Sequence, residues 1–91
     1  MSDVARTVLI INKRGLHARA SAKFVTMASG IGARVEVEKD GSKVVGTSIM
    51  GLMMLGAAMG DEITIRANGD GAEAAVTSLA ELVEAKFHEA E

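Results

Sequence analysis

Arg34-Val35-Glu36-Val37-Glu38-Lys39-Asp40-Gly41-Ser42-Lys43-Val44-Val45 is the stretch on which the fold turns. Val35 and Val37 alternate with Arg34, Glu36 and Glu38, and a period of two gives a strand one buried face and one wet face. Asp40-Gly41 follows at once. A two-residue type I′ hairpin needs positive φ at both central positions, which Asp-Gly tolerates. Ser42 to Gly46 then reads as the return strand, so these two strands are antiparallel neighbours.

Working outward, Val4 to Ile11 reads as a first strand through the β-prone Val8, Leu9, Ile10 and Ile11. Asn12-Lys13-Arg14-Gly15 breaks it with turn residues and charge. From Leu16 the period changes. Ala20, Phe24, Met27 with Ala28, and Ile31 recur at three-to-four spacing, the face of a helix, and Gly30 or Gly32 offers it a left-handed cap. Beyond the hairpin, Ser48 suits the N-cap of a short apolar helix over Ile49 to Leu55, with Gly56 and Gly60 at its exit. Asp61 to Ala67 alternates again through Ile63 and Ile65 as a fourth strand. Asn68-Gly69-Asp70-Gly71 turns the chain. Ala72 to Phe87 reads as a helix, with Ala72, Ala75, Val76, Leu79, Leu82, Val83 and Phe87 on one face. The order is β-α-β-β-α-β-α, an α+β sheet covered on one side by helices. Periodicity leaves the order of strands within the sheet open.

Composition excludes several function classes. Ninety-one residues suit a single domain, 1–91. With no Cys there is no disulfide, thiolate metal site or cysteine nucleophile, and a cytoplasmic location is expected. Two Phe are the only aromatics and the net charge is −2, so stacked bases and polyanionic partners find little to hold, and no nucleic-acid partner is expected. No apolar run approaches the roughly 20 residues of a membrane span, and the N-terminus lacks a signal peptide's basic-then-apolar design. Two His without Cys argue against zinc. No P-loop is present, and Asn68-Gly69-Asp70-Gly71 lacks the ligand series of a calcium loop. No metal and no cofactor are expected.

Of the two histidines, His88 reads as an exposed residue near the chain end. His17 sits at the start of the first long helix, where first-turn amides and the helix dipole favour an anion. Arg19 brings a guanidinium suited to phosphoryl oxygens, and Lys13 and Arg14 lie just upstream. Neighbouring positive charge disfavours the imidazolium, and a neutral ring has a lone pair with which to attack phosphorus. A surface histidine that merely caps a helix fits the same residues, and local physics does not choose between the two.

Gly15-Leu16-His17-Ala18-Arg19 resembles the phosphorylation-site motif of the HPr family, the histidine phosphocarriers of the bacterial phosphoenolpyruvate-dependent phosphotransferase system. Thr47-Ser48-Ile49-Met50-Gly51-Leu52-Met53-Met54-Leu55-Gly56 resembles the family's regulatory serine and the short helix after it. The resemblance covers nearly the whole chain. It implies an open-faced β-sandwich, with four antiparallel strands in the order 1-4-2-3 and three helices on one face. It also implies a carrier rather than an enzyme that turns over substrate. Enzyme I would phosphorylate His17 on Nδ1, and the group would pass to an enzyme IIA, helped by Arg19 and the amides near Ala18 and Arg19. Ser48 would match the serine modified by HPr kinase/phosphorylase, and the carrier would act as a monomer.

One position departs from the family pattern. Ala20 stands where proline usually follows the arginine, which restores an amide donor in the first turn. The expectation is a working site with an extra amide near the anion pocket. Asn12-Lys13-Arg14-Gly15 is similar to nitrogen-type members, which makes a regulatory module of the nitrogen-related system, acting by partner docking rather than sugar uptake, the alternative reading. A small RNA-binding or ligand-binding sandwich is a further class, opposed by the missing sheet aromatics, the net acidity and the small volume available for a pocket.

Ile49, Met50, Leu52, Met53, Met54 and Leu55 are too many apolar residues for one buried stripe of so short a helix. Leu52 and Leu55 are expected inward. Ile49, Met50 and Met53 are expected outward as a docking patch, flexible methionine being suited to several partners. A phosphate on Ser48 would be favoured by the helix start and would set negative charge beside that patch.

Overall fold

The computed structural model describes residues 3–90. Its elements are β1 (Asp3–Leu9), α1 (Ala18–Ser29), β2 (Arg34–Lys39), β3 (Ser42–Val45), α2 (Ile49–Met54), β4 (Glu62–Asn68) and α3 (Ala72–Glu84), followed by a single turn, Lys86–His88. Asp40 and Gly41 take φ of 50° and 85°, the pair of positive angles a type I′ turn requires. The hairpin register is Glu36 opposite Val45 through Lys39 opposite Ser42.

All four strands form one antiparallel sheet in the order β1-β4-β2-β3. This is the order the resemblance implies. Val8 lies opposite Ile63, Val4 opposite Ala67 and Val37 opposite Ile65, so the apolar residues of neighbouring strands share a face. Helices α1, α2 and α3 cover that face, and Phe24, Leu52, Leu79, Val83 and Phe87 fill the space beneath them. The other face is mostly polar, with Leu9 and Val45 exposed among charged and hydroxyl side chains. Thr7 and Thr64 share a hydroxyl hydrogen bond of 2.9 Å, and Arg66 donates to Glu38 at 3.0 Å.

Three local expectations are corrected. The regular part of β1 ends at Leu9 rather than Ile11, because the chain bends toward the loop before β4. Ile10 is nevertheless fully buried, its amide donating to the Asp61 carbonyl and its carbonyl accepting from the Gly60 amide, each at 2.8 Å. Helix α1 leaves without a left-handed cap: Gly30 has φ −83°, and Gly32 is not among the positive-φ residues. Its last turn tightens instead, with Gly30 N–H donating to Met27 and Ile31 N–H to Ala28.

The third correction bears on the site. Helix α3 stops at Glu84 rather than Phe87. Lys86, Phe87 and His88 have φ of 58°, 54° and 57°, three successive left-handed residues. Each costs about 1–2 kcal/mol for a residue with a Cβ. The turn reverses the chain so that Phe87 drops into the core, fully buried, and Lys23 Nζ donates to the Phe87 carbonyl at 2.7 Å. A straight helix would have carried Glu89 away from α1. The turn delivers it to His17.

Candidate functional site

The loop from Asn12 to His17 is fixed by contacts with the segment that follows α2. Leu16 N–H donates to the Ala57 carbonyl at 2.9 Å, and Gly15, at φ 62°, passes against Ala57 and Ala58. A Cβ on Gly15 would stand 2.3 Å from the Ala57 oxygen, so only glycine lets the two backbones meet. The phosphorylation-motif loop and the end of α2 are thereby held side by side.

His17 is the N-cap of α1. Its backbone is extended (φ −76°, ψ −178°), and its carbonyl accepts the first helical bond from Ser21. Its ring is the capping group: Nδ1 accepts from the Arg19 amide at 3.3 Å. The opposite ring nitrogen, Nε2, meets Glu89 Oε2 at 2.5 Å. The other Glu89 oxygen, Oε1, accepts from Asn12 Nδ2 at 3.1 Å, and the same Nδ2 donates to the Gly15 carbonyl at 2.9 Å. Asn12 is fully buried, and its Oδ1 has no hydrogen-bond partner.

Lys13, Arg14, His17, Arg19, Lys23, His88, Glu89 and Ala90 line a depression of about 380 Å³. Four permanent cations thus surround one carboxylate. Burial pushes the Glu89 carboxyl up, but hydrogen bonds from His17 and Asn12, with the charges of His17 and Lys23, hold it below the usual carboxylate range. Such a basin suits a doubly charged phosphoryl group. Ala18 and Arg19 are the exposed residues of the first turn, and Ala20 is fully buried. Ala20, which stands where proline is usual, packs into the core and is not among the residues lining the depression. His88 is exposed at the rim of this same depression, a placement its position near the chain end did not suggest.

Ser48 caps α2, its hydroxyl accepting from the Gly51 amide at 3.0 Å. Leu52 and Leu55 point inward and are buried, whereas Ile49, Met50 and Met53 are exposed. Met54, which spacing did not single out, is more exposed than any of them, at 79% against 69% for Met50. Sequence reasoning also missed Asn12, read as a turn residue, and Glu89, which it did not single out. Their pairing at the site carries no local signal, because Asn12 and His17 lie 77 and 72 positions from Glu89 in the chain. No group of three or more potential ligands among the described residues could hold a metal ion, and no described helix is long and apolar enough to cross a membrane.

The sequence and the fold have counterparts among known proteins. The family described as PTS-HPr, the PTS HPr component phosphorylation site, matches residues 4–85. The chain is 41% identical over 90 residues to phosphocarrier protein NPr of Shewanella violacea, covering 99% of each. It superposes on the crystal structure of HPr-C-His from Thermoanaerobacter tengcongensis with a TM-score of 0.89 and 45% identity, covering 100% of each chain. A crystal structure of an HPr dimer from the same organism gives 0.76 and 46%, covering 98% of this chain and 100% of that one. With sequence and fold in agreement over nearly its whole length, the chain belongs to the HPr family and is a phosphocarrier protein of the phosphotransferase system.

Proposed function

We propose that His17 is the residue that carries the phosphoryl group, as a covalent phosphohistidine, between enzyme I and an enzyme IIA. The observation that carries this reading is the ring's setting: Nδ1 lies at the first turn of α1, within a depression lined by Lys13, Arg14, Arg19 and Lys23. In the step, the Nδ1 lone pair forms the new N–P bond as the donor's own bond to phosphorus breaks. The Arg19 guanidinium and the amides of Ala18 and Arg19 take up the phosphoryl oxygens. The chain then releases the group by the reverse path and needs no cofactor of its own.

Docking is assigned to the exposed apolar face of α2, with Ile49, Met50 and Met53, held beside the His17 loop by the Leu16–Ala57 contact. Ser48, at the start of that helix, is assigned the regulatory modification by HPr kinase/phosphorylase. The chain works as one cytoplasmic domain and as a monomer. The dimeric structure of a related HPr makes the alternative state worth weighing by light scattering. Likeness to an NPr favours a second reading, a regulatory carrier of the nitrogen-related system.

The test is direct. Purified chain mixed with enzyme I and phosphoenolpyruvate gains a phosphate that is acid-labile and base-stable, and His17→Ala gains none while His88→Ala is labelled normally. Full labelling of His17→Ala sinks the assignment. Transfer from the phosphorylated chain to a sugar-type or to a nitrogen-type enzyme IIA decides between the two pathways.

A further inference from the structure

We propose that Glu89, held by the buried Asn12, is a positioning residue that neutralises the positive charge phosphorylation creates on the His17 ring. The inference rests on the reading of His17 as the phosphoryl carrier and says how its chemistry works in this chain.

One donor and one acceptor fix the ring. The Arg19 amide can only donate, so Nδ1 faces it with a lone pair. Glu89 is held in its ionised form and can only accept, so Nε2 bears the proton. When Nδ1 attacks, its lone pair becomes the N–P bond, and the electron pair of the breaking bond leaves with the donor atom. The Nε2 proton stays where it is. The His17 ring therefore ends with a net positive charge, delocalised to the Nε2–H that points at Glu89.

That charge is created in an adverse place. The groups facing the ring are Lys13 and Arg14 from the preceding loop, Arg19 and Lys23 from α1, and His88 from the turn after α3. They suit the phosphoryl oxygens and oppose a cationic ring. Glu89 is the one carboxylate among the described residues lining the depression. Its placement is built rather than incidental. Asn12 Nδ2 ties it to the Gly15 carbonyl, Lys23 ties down the Phe87 carbonyl, and the left-handed turn is held by Phe87 in the core. Because the ring is neutral before transfer and cationic after it, the carboxylate favours the loaded state and assists loading.

The experiment compares wild type, Glu89→Gln and Glu89→Ala after confirming that each is folded by its circular dichroism and melting profile. Phosphoryl exchange with enzyme I is followed in both directions, and the phosphorylated ring is titrated by ¹⁵N NMR. Both variants are expected to load roughly tenfold more slowly, with the return rate little changed, so that the exchange equilibrium moves about tenfold toward enzyme I. The pH at which the phosphorylated ring gives up its Nε2 proton is expected to fall by about one unit, the same tenfold read at equilibrium. A rate loss without movement of that titration assigns Glu89 a merely structural role and overturns the proposal, as do unchanged rates. If wild type itself is not phosphorylated on His17, the carrier assignment fails first, and the two failures are told apart.

Discussion

Replacing Gly15 with alanine tests whether the close approach of two backbones builds the site. The residue has φ 62°, and a Cβ there would lie 2.3 Å from the Ala57 oxygen and 2.8 Å from the Ala58 Cα. An ordinary carbon–oxygen contact is about 3.3 Å, so the loops must part by about 1 Å. Left-handed geometry costs alanine about 1–2 kcal/mol. Parting the loops stretches the Leu16–Ala57 hydrogen bond, worth about 0.5–1.5 kcal/mol, and disturbs packing at about 1–3 kcal/mol. The sum is about 2.5–6.5 kcal/mol, a large share of the roughly 5–15 kcal/mol that holds a domain together. Gly41→Ala is the control. Its φ is 85°, but nothing lies within 4 Å of the added Cβ, so it incurs the dihedral cost alone, about 1–2 kcal/mol. Urea unfolding of both variants at 25 °C, fitted as two-state transitions, gives the comparison. A Gly15→Ala loss no larger than that of Gly41→Ala would refute the argument that contact with Ala57, and not φ alone, demands glycine.

Other perturbations separate surface from core. Met50→Asp is expected to leave stability within about 0.5 kcal/mol while weakening partner binding measured by calorimetry, because the side chain is 69% exposed. Leu52→Ala, one turn face away and fully buried, should cost about 2–5 kcal/mol in denaturant melts. Ser48→Ala removes the acceptor for the Gly51 amide and should cost about 1 kcal/mol, so a neutral result would mean the cap contributes nothing to α2. Acid should loosen the C-terminal turn. A carboxyl held below its ordinary value of 4.5 adds stability that is complete above that value and is lost as pH falls through the folded-state value. The stability gap between wild type and Glu89→Gln should therefore close as urea melts are taken from pH 6 to acid, and a gap that widens would contradict the sign.

The hairpin was legible because its signals are local: alternating valines, then two residues that tolerate positive φ. The histidine, the arginine and the two helix starts were legible for the same reason, each being set by residues within one turn. Strand order was not, since an alternating pattern names a face and not a neighbour; it came from the resemblance and then from the pairing. The C-terminal turn escaped because Lys86, Phe87 and His88 are an unlikely trio for left-handed backbone, and periodicity carried the helix through Phe87. That periodicity was right about burial and wrong about path. Glu89 and Asn12 were hidden for a related reason: a carboxylate and an amide acquire chemical meaning only when the fold supplies their partners.

The sheet order also sets a timetable for folding. Strand β4 is late in the sequence and central in space, pairing with β1 on one side and β2 on the other. Until residues 62–68 arrive, β1 has no partner, and the hairpin of β2 and β3 is the one strand pairing that can form locally. Closing the loop from β1 to β4 draws together residues such as Asp3 and Asn68, a heavy entropic demand before any long-range contact rewards it. The rate-limiting event is therefore expected to be the insertion of β4, and substitutions at Ile63 and Ile65 should slow refolding more than equal truncations in the β3 edge.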